Sequence, residues 1–188
     1  MNKLTGPVTA VAVLVAAQIA FLAYQGRLWW CACGKFSVWA SDVWSKHNSQ
    51  HILDAYSFSH LLHGVIFWFA LARPLKRFGA WWTVAACAAV EVCWEMLENS
   101  AIIIDRYRSA TAALGYTGDS IANSVSDVFC CMAGAVLARR IGWKWSLAVF
   151  VVLEVGCALW VRDNLTLNVI MLLCPSEAIK RWQLGGAG

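Results

Sequence analysis

Long apolar stretches alternate with short polar links along this chain. A helix that crosses a membrane needs about 20 mostly apolar residues, with a lower limit of about 17. Five stretches meet that requirement, at positions 8–24, 57–75, 78–99, 119–141 and 143–161. A sixth, at 165–174, is too short to cross and ends at Pro175. We therefore predict about five spanning helices, followed by a short re-entrant or interfacial segment.

The overall composition agrees with a membrane protein. Of the 188 residues, 60% are hydrophobic and 14% are charged, and the mean hydropathy is +0.59. Soluble domains carry about 25% charged residues. The Lys and Arg side chains are scattered and the net charge is only +4, which argues against nucleic acid as a partner. The predicted fold class is all-α: a polytopic membrane helix bundle, surrounded by the lipid bilayer, that forms one domain over residues 1–188.

Basic residues in the short links predict the orientation, because Lys and Arg concentrate in cytoplasmic loops. The links after the second and fourth predicted spans are short and basic: Arg73, Lys76 and Arg77 in one, and Arg139, Arg140 and Lys144 in the other. The N-terminus is then cytoplasmic, and the links 26–56 and 100–118 face outward. The first span is expected to be a retained signal-anchor, because no convincing small-residue cleavage site follows its apolar core.

Ionisable side chains within the predicted spans point to a functional site, because they are costly in a membrane and usually face the interior of the bundle. The second span carries His60 and His63, one turn apart. The next two spans each carry one polar stripe: Glu91, Glu95 and Glu98, then Asp119, Asn123 and Asp127. These groups predict one water-accessible pocket on the outward, periplasmic side. The alternative is a structural network in which each group only bonds to a neighbouring helix.

Imidazoles and carboxylates in one pocket can bind a metal or transfer protons. Our candidate catalytic residues are His60, His63, Glu95, Glu98, Asp119 and Asp127. A divalent metal (zinc, manganese or iron) is the hypothesised cofactor, with His60, His63, Glu95 and Asp119 as ligands. A metal-free acid–base pair of Glu and His is the alternative. The chain has no HExxH, P-loop or GxSxG motif.

The candidate substrate-binding residues surround this pocket. They are His51, Asn99, Arg106, Arg108, Asn123, Arg162 and Asn164. Guanidinium groups bind phosphate or carboxylate through paired hydrogen bonds, so the three arginines predict an anionic lipid or lipid-linked substrate. A second hypothesis is a non-enzymatic membrane subunit or assembly factor that binds a lipid, a cofactor or a partner protein. A proton-coupled carrier fits less well, because the inner halves of the second to fourth spans are almost purely apolar.

Most of the eight cysteines lie in apolar runs, where they are most simply small hydrophobic side chains. Cys31 and Cys33 differ, because they flank one residue in a polar link. Redox activity and metal binding are the two roles open to this pair.

Six motifs in register carry a resemblance to a known family: NSQH at 48–51, SHxxHG at 59–64, WExxENS at 94–100, RYRSAT at 106–111, GDSxxNSxxD at 118–127 and RDNLTLN at 162–168. In this order they resemble an uncharacterised family of multi-pass inner-membrane proteins from alphaproteobacteria. The resemblance covers roughly residues 27–183. It implies a location in the bacterial inner membrane and implies no activity.

Overall fold

The computed structural model describes residues 4–113 and 115–185. Seven α-helices occur within them: α1 (Thr5–Tyr24), α2 (Ser57–Ala72), α3 (Ala80–Glu98), α4 (Ala101–Ala110), α5 (Ile121–Val161), α6 (Leu165–Leu173) and α7 (Glu177–Leu184). A short 3₁₀ helix spans Lys76–Phe78, and two strands, β1 (Trp39–Ala40) and β2 (Leu53–Asp54), pair in parallel. The all-α class is confirmed. The predicted domain also includes residues 1–3, 114 and 186–188, which lie outside the described residues.

Three helices, α1, α3 and α5, are long and apolar enough to cross a membrane. Helix α2 is apolar but has only 16 residues, fewer than the 19 predicted for its span. It ends at Ala72, two residues before Pro74, which has no backbone N–H with which to continue the helix. The number of crossings, about five, stays a prediction.

Helix α5 contains a break that reverses the chain. Gly142 has φ 74° and ψ 173°, a backbone conformation that does not occur in an α-helix and that glycine adopts readily. A straight helix of 41 residues is about 60 Å long. Instead, both ends of α5 meet the same link: the Ser120 N–H donates to the Ser49 carbonyl, and Val161 packs against Ala55. The two halves, 121–141 and 143–161, therefore run antiparallel and match two of the predicted spans.

Close packing of α2 on α5 positions the polar side chains. A Cβ atom on Gly64 would lie 1.8 Å from the Cys131 carbonyl oxygen, and one on Gly134 would lie 1.9 Å from that of Leu61. Small residues allow such close approach of two helices. The buried side chains of Val84, Cys87, Cys131 and Ala135 form an apolar core beside this contact. The contact brings the first turns of α2 opposite the first turns of α5.

Helix α4 lies in a link for which the sequence pattern predicts no helix. The Ser100 hydroxyl caps it by accepting from the Ile103 N–H. Helix α6 matches the short apolar segment at 165–174, and α7 follows it. We use the term "site end" for the end of the bundle at which α2 begins and at which α3 ends.

Candidate functional site

Two histidines and a glutamate form the centre of the site. The Glu91 carboxylate lies 2.5 Å from Nδ1 of His60 and 3.0 Å from Nδ1 of His63. Glu91 is fully buried and His60 is nearly so, while His63 is partly exposed. A carboxylate only accepts hydrogen bonds, so each imidazole donates from Nδ1. In the neutral form of each ring, Nε2 is therefore the unprotonated nitrogen that can accept a proton.

Two further acids complete this group, which we call the central cluster: His60, His63, Glu91, Glu95 and Asp127. Glu95 Oε1 lies 3.3 Å from His60 Nδ1, within ion-pair distance. It forms no hydrogen bond there, because the N–H of Nδ1 points to the closer Glu91. Asp127 Oδ2 lies 3.8 Å from His60 Nε2, and the Ser57 hydroxyl donates to Oδ1 at 3.1 Å. Neither oxygen of the buried Glu95 has a hydrogen-bond partner among the described residues.

Three tyrosines surround the central cluster at the site end, and each donates its hydroxyl to a carboxylate. The pairs are Tyr107 with Glu98 at 2.8 Å, Tyr116 with Asp119 at 2.9 Å, and Tyr56 with Asp163 at 3.1 Å. Burial and the nearby carboxylates raise the pKa of all three phenols well above 10. They are therefore neutral hydrogen-bond donors at physiological pH.

Asp119 is held by the end of α3 and the loop before α5. Asn99 donates from Nδ2 to Asp119 Oδ2 at 3.0 Å and accepts the Asp119 N–H at 2.7 Å. Burial raises the pKa of Asp119 to about 6, although the hydrogen bonds from Tyr116 and Asn99 lower it. Burial is also the main cause of the raised pKa of Asp163, which is about 6.

A cavity of about 1210 Å³ lies beside these groups. His60, His63, Glu98, Asp119 and Asp127 form its polar wall, whereas Glu91 and Glu95 lie behind that wall. Apolar side chains from α2, α3, α5 and α6 also line it, among them Ile66, Phe67, Trp94, Phe150 and Ile170. One cavity therefore joins a reactive polar surface to an apolar surface.

Comparison with known proteins identifies the family. A family model described as "Protein of unknown function (DUF2585)" matches residues 22–185. The chain belongs to this family. It is 47% identical to a "UPF0314 protein" of Sphingopyxis alaskensis over 93% of each chain, and 41% identical to one of Brucella anthropi over 93% of this chain and 89% of the relative. A third, from Paracoccus denitrificans, is 40% identical over 97% of this chain and 94% of the relative. No solved structure matches at a significant level.

In this DUF2585 protein, the predicted ligand set of His60, His63, Glu95 and Asp119 does not come together as one group. Around His60, the metal-ligating atoms that lie within 4.8 Å of one another are those of His60, His63 and Glu91, and those of His60, Glu95 and Glu98. Asp119 lies instead with Tyr116 and Asn99. The loop before α5 places Asp119 there, and the Asn99 side chain holds it by accepting the Asp119 backbone N–H.

The three arginines predicted to bind an anionic group lie in different surroundings. Arg106 donates to the Leu172 carbonyl at 2.9 Å, and Arg108 donates to the Tyr116 carbonyl. Neither arginine lines the cavity. Unpaired carbonyls at a helix C-terminus attract such cations, which explains the contact of Arg106 with the last turn of α6. Arg162 does line the cavity.

The remaining predicted substrate residues divide between the cavity and other places. Asn123 lines the cavity, and Asn99 lies behind Asp119. Asn164 caps α6 by accepting the Leu167 N–H, which is a structural role. His51 lies away from the cavity, against His47, because the link before α2 folds back on itself there.

Several residues that were not among the predicted candidates form hydrogen bonds to the site residues. Glu91 belongs to the predicted acidic stripe of α3, yet it is the acid that contacts both histidines. Its spacing from Glu95 is a detectable signal, since residues four apart share a helix face. Tyr107 and Tyr116 gave no such signal. The contact of Tyr107 with Glu98 depends on the turn between α3 and α4, and that of Tyr116 with Asp119 depends on the loop between α4 and α5.

Proposed function

We propose that this protein is an integral membrane enzyme that binds a lipid or lipid-linked substrate in the cavity. Its reactive groups are the Nε2 atoms of His60 and His63, which Glu91 orients. The observation that carries the proposal is the position of this buried acid–histidine group beside a cavity that is otherwise largely apolar.

The shape and lining of the cavity favour an amphipathic substrate. An acyl or prenyl chain packs against side chains such as Phe67, Trp94 and Ile170, while its polar head reaches the histidines. Lys46 and Arg162 are the two basic side chains that line the cavity within the described residues. They suit an anionic head group, such as a phosphate, better than the other two predicted arginines do.

Proton transfer is the chemistry that the central cluster supports most directly. With Nδ1 donating to Glu91, Nε2 of each ring is free to accept a proton from a substrate hydroxyl or a water. Asp127, 3.8 Å from His60 Nε2, stabilises the imidazolium that forms. Glu95 Oε1 lies 3.3 Å from His60 Nδ1, which is close enough for a charge interaction with the imidazolium.

A divalent metal is an extension of the same proposal. Ligands of one zinc ion lie about 3–4 Å apart, given bond lengths of about 2.0–2.2 Å. His60 Nε2 and Asp127 Oδ2 are 3.8 Å apart, which fits that spacing. When bound, a zinc, manganese or iron ion would activate water or polarise a phosphoryl oxygen.

The proposed location is the bacterial inner membrane, with a cytoplasmic N-terminus and the site end toward the periplasm. The basic links near Lys76 and Arg139 lie at the opposite end of the bundle from His60. By the preference of basic loops for the cytoplasm, the cavity then opens to the outer leaflet.

Lipid profiling of a deletion strain tests the enzyme. We expect one lipid or lipid-linked species to accumulate when the gene is deleted and to disappear when the wild-type gene is restored. The double variant His60→Ala/His63→Ala should insert in the membrane but leave the species in place. The exposed Glu177→Gln substitution on α7 is a control that should restore the wild-type profile.

An unchanged lipid profile in the deletion strain contradicts the proposal. If the protein then co-purifies stoichiometrically with a larger complex, the assembly-subunit hypothesis replaces it. Restoration of the profile by the double histidine variant also excludes the proposed chemistry, although a lipid-related role would survive.

A further inference from the structure

A second group of metal-binding side chains lies outside the cavity, in the long link between α1 and α2. It consists of Cys31, Cys33, His47 and His51. One ligand atom from each residue lies within 4.8 Å of those of the other three. Cys31 and His51 are buried, and Cys33 and His47 are partly buried. None of these residues lines the cavity.

A tight turn arranges the two thiols. The Gly34 N–H donates to the Cys31 carbonyl at 3.0 Å, and Gly34 adopts φ 71°, a left-handed conformation that glycine accepts readily. Within this turn the Cys33 N–H points to the Cys31 sulfur at 3.5 Å, and the Lys35 N–H points to the Cys33 sulfur at 3.4 Å. Backbone N–H groups directed at sulfur stabilise thiolates, the form that binds metal.

A second turn brings the two imidazoles to the thiols. His47 Nδ1 lies 3.4 Å from the Cys31 sulfur, and the rings of His47 and His51 lie 5.5 Å apart. His51 is only 5% exposed, yet its Nδ1 has no hydrogen-bond partner among the described residues. A buried polar nitrogen without a partner is costly unless something binds it. Asp54 holds this turn by accepting the Ser49 N–H at 2.8 Å.

We propose that Cys31, Cys33, His47 and His51 together bind one Zn²⁺ ion. Two thiolates and two imidazoles form the tetrahedral ligand set of a structural zinc site, which has no open position for a substrate. The His-x₃-His spacing and the thirteen residues between Cys33 and His47 fall within the range of such sites, whereas the Cys-x-Cys pair is one residue shorter than the usual pair. The sulfur ligands favour zinc over magnesium or calcium, which bind oxygen.

The position of the site gives the ion a structural role. The link that contains it has only a two-residue strand pair and no helix. Segments with little apolar core are often stabilised by a metal. The same link supplies Ser49 and Gln50, which bond to Ser120 and Gly118 at the start of α5. Zinc therefore holds the segment that forms one wall of the cavity, and this site does not depend on the proposed enzymatic function.

Metal content measures the site directly. The full-length protein is purified in detergent under reducing conditions, and its zinc is measured by mass spectrometry. We expect Cys31→Ser/Cys33→Ser to lose one zinc per chain relative to the wild type. The matched control is Cys93→Ser/Cys174→Ser, since both of these cysteines are exposed and lie elsewhere. It should keep the wild-type zinc content.

Cobalt substitution separates this site from the central cluster, which contains no sulfur. Wild-type protein loaded with Co²⁺ should show a sulfur-to-cobalt charge-transfer band in the near ultraviolet and the visible bands of tetrahedral cobalt. The band should remain in His60→Ala/His63→Ala and disappear in Cys31→Ser/Cys33→Ser. A band that depends on His60 and His63 would contradict the assignment.

A measurement without substitutions guards against a variant that fails to fold. Zn²⁺ should slow the alkylation of Cys31 and Cys33 in the wild-type protein, as read by peptide mass spectrometry, while Cys93 and Cys174 react at an unchanged rate. The proposal fails if the two thiols are found as a disulfide after reducing purification. It also fails if neither zinc content nor alkylation responds to the metal.

Discussion

Glu91 lies behind the wall of the cavity and orients both histidines. It touches both imidazoles but does not line the cavity, so it is a positioning residue rather than a catalytic one. Its two contacts assign Nδ1 as the donor on both rings, and a neutral amide in its place cannot accept from both equally well. The active tautomer of His60 and His63 therefore depends on one buried side chain.

Replacing Glu91 by glutamine should lower activity without removing the reactive groups. Loss of a carboxylate that orients a metal-ligating histidine typically lowers metal affinity or activity by about 10–100-fold. We expect Glu91→Gln to restore the lipid profile of the deletion strain at a rate reduced by about that factor, measured as turnover of the accumulated species after induction. Glu177→Gln, on the exposed face of α7, should match the wild type. Equal turnover in both variants would contradict the positioning role.

Asp119 should make stability depend on pH. Its pKa rises from 3.8 to about 6 on folding, chiefly through burial, so the folded protein binds the proton more tightly than the unfolded chain. The resulting stabilisation is complete below pH 4 and is lost as the pH rises through about 6. Its size is at most about 3 kcal/mol.

Thermal unfolding in detergent between pH 4 and pH 7.5 checks this contribution. The unfolding temperature of the wild type should fall relative to that of Asp119→Asn across that window, because asparagine does not ionise. Asp105→Asn, an exposed acid on α4, is the matched control and should follow the wild type. Parallel curves for the wild type and Asp119→Asn would show that Asp119 does not titrate as described.

At the scale of elements, the contact between α2 and α5 determines which side chains meet. Gly64 and Gly134 let the two backbones approach closely, and His60 and Asp127 lie one to two turns away from them. Moving the helices apart by a fraction of an ångström changes the separation of His60 Nε2 and Asp127 Oδ2, now 3.8 Å. The geometry of the site is therefore coupled to a packing contact outside it.

A methyl group at this contact should destabilise the protein. In Gly134→Ala the new Cβ would lie 1.9 Å from the Leu61 carbonyl oxygen, so the helices must separate. Overpacking of this kind costs about 1–3 kcal/mol. Gly156→Ala is the control in the same helix, since no atom lies within 4 Å of its Cβ. We expect a lower unfolding temperature in detergent for Gly134→Ala only, and a similar decrease for both would contradict the role of the contact.

At the scale of the whole molecule, one end of the bundle carries nearly all of the buried polar groups. The first turns of α2, the last turns of α3 and both ends of α5 meet there, because the chain reverses at Gly142. The zinc-binding link lies at the same end, through the contacts of Ser49 and Gln50 with the start of α5. Binding and chemistry are therefore predicted on one side of the membrane.

Cysteine labelling tests which side that is. In a background without the exposed Cys93 and Cys174, Ser109→Cys on α4 should react with an impermeant maleimide in spheroplasts, with the label read on the peptide that carries the substitution so that Cys33 does not contribute. Phe78→Cys, exposed near the opposite end, should react only after permeabilisation. This result follows if the basic links face the cytoplasm. The reverse pattern would place the cavity on the cytoplasmic side.

The helical class and the polar stripes were predictable from the sequence, because both are local properties. Apolar runs such as 8–24 and 143–161 are long enough to require helices in a membrane, whatever they pack against. Residues three or four apart share a helix face, so His60 and His63, and Glu91 and Glu95, had to project together. Membership of an uncharacterised family was also predicted from the sequence, and the match to a family model confirms it.

Only the tertiary structure decided which of these groups meet. Periodicity gives a direction around a helix but neither the offset between two helices nor the path of a loop. That is why Glu91 lies with the histidines and Asp119 with Tyr116, and why Arg106 binds a backbone carbonyl. It is also why Cys31 and His51, twenty residues apart, come together. Their contact depends on two turns in a link that has no periodic pattern from which to predict it.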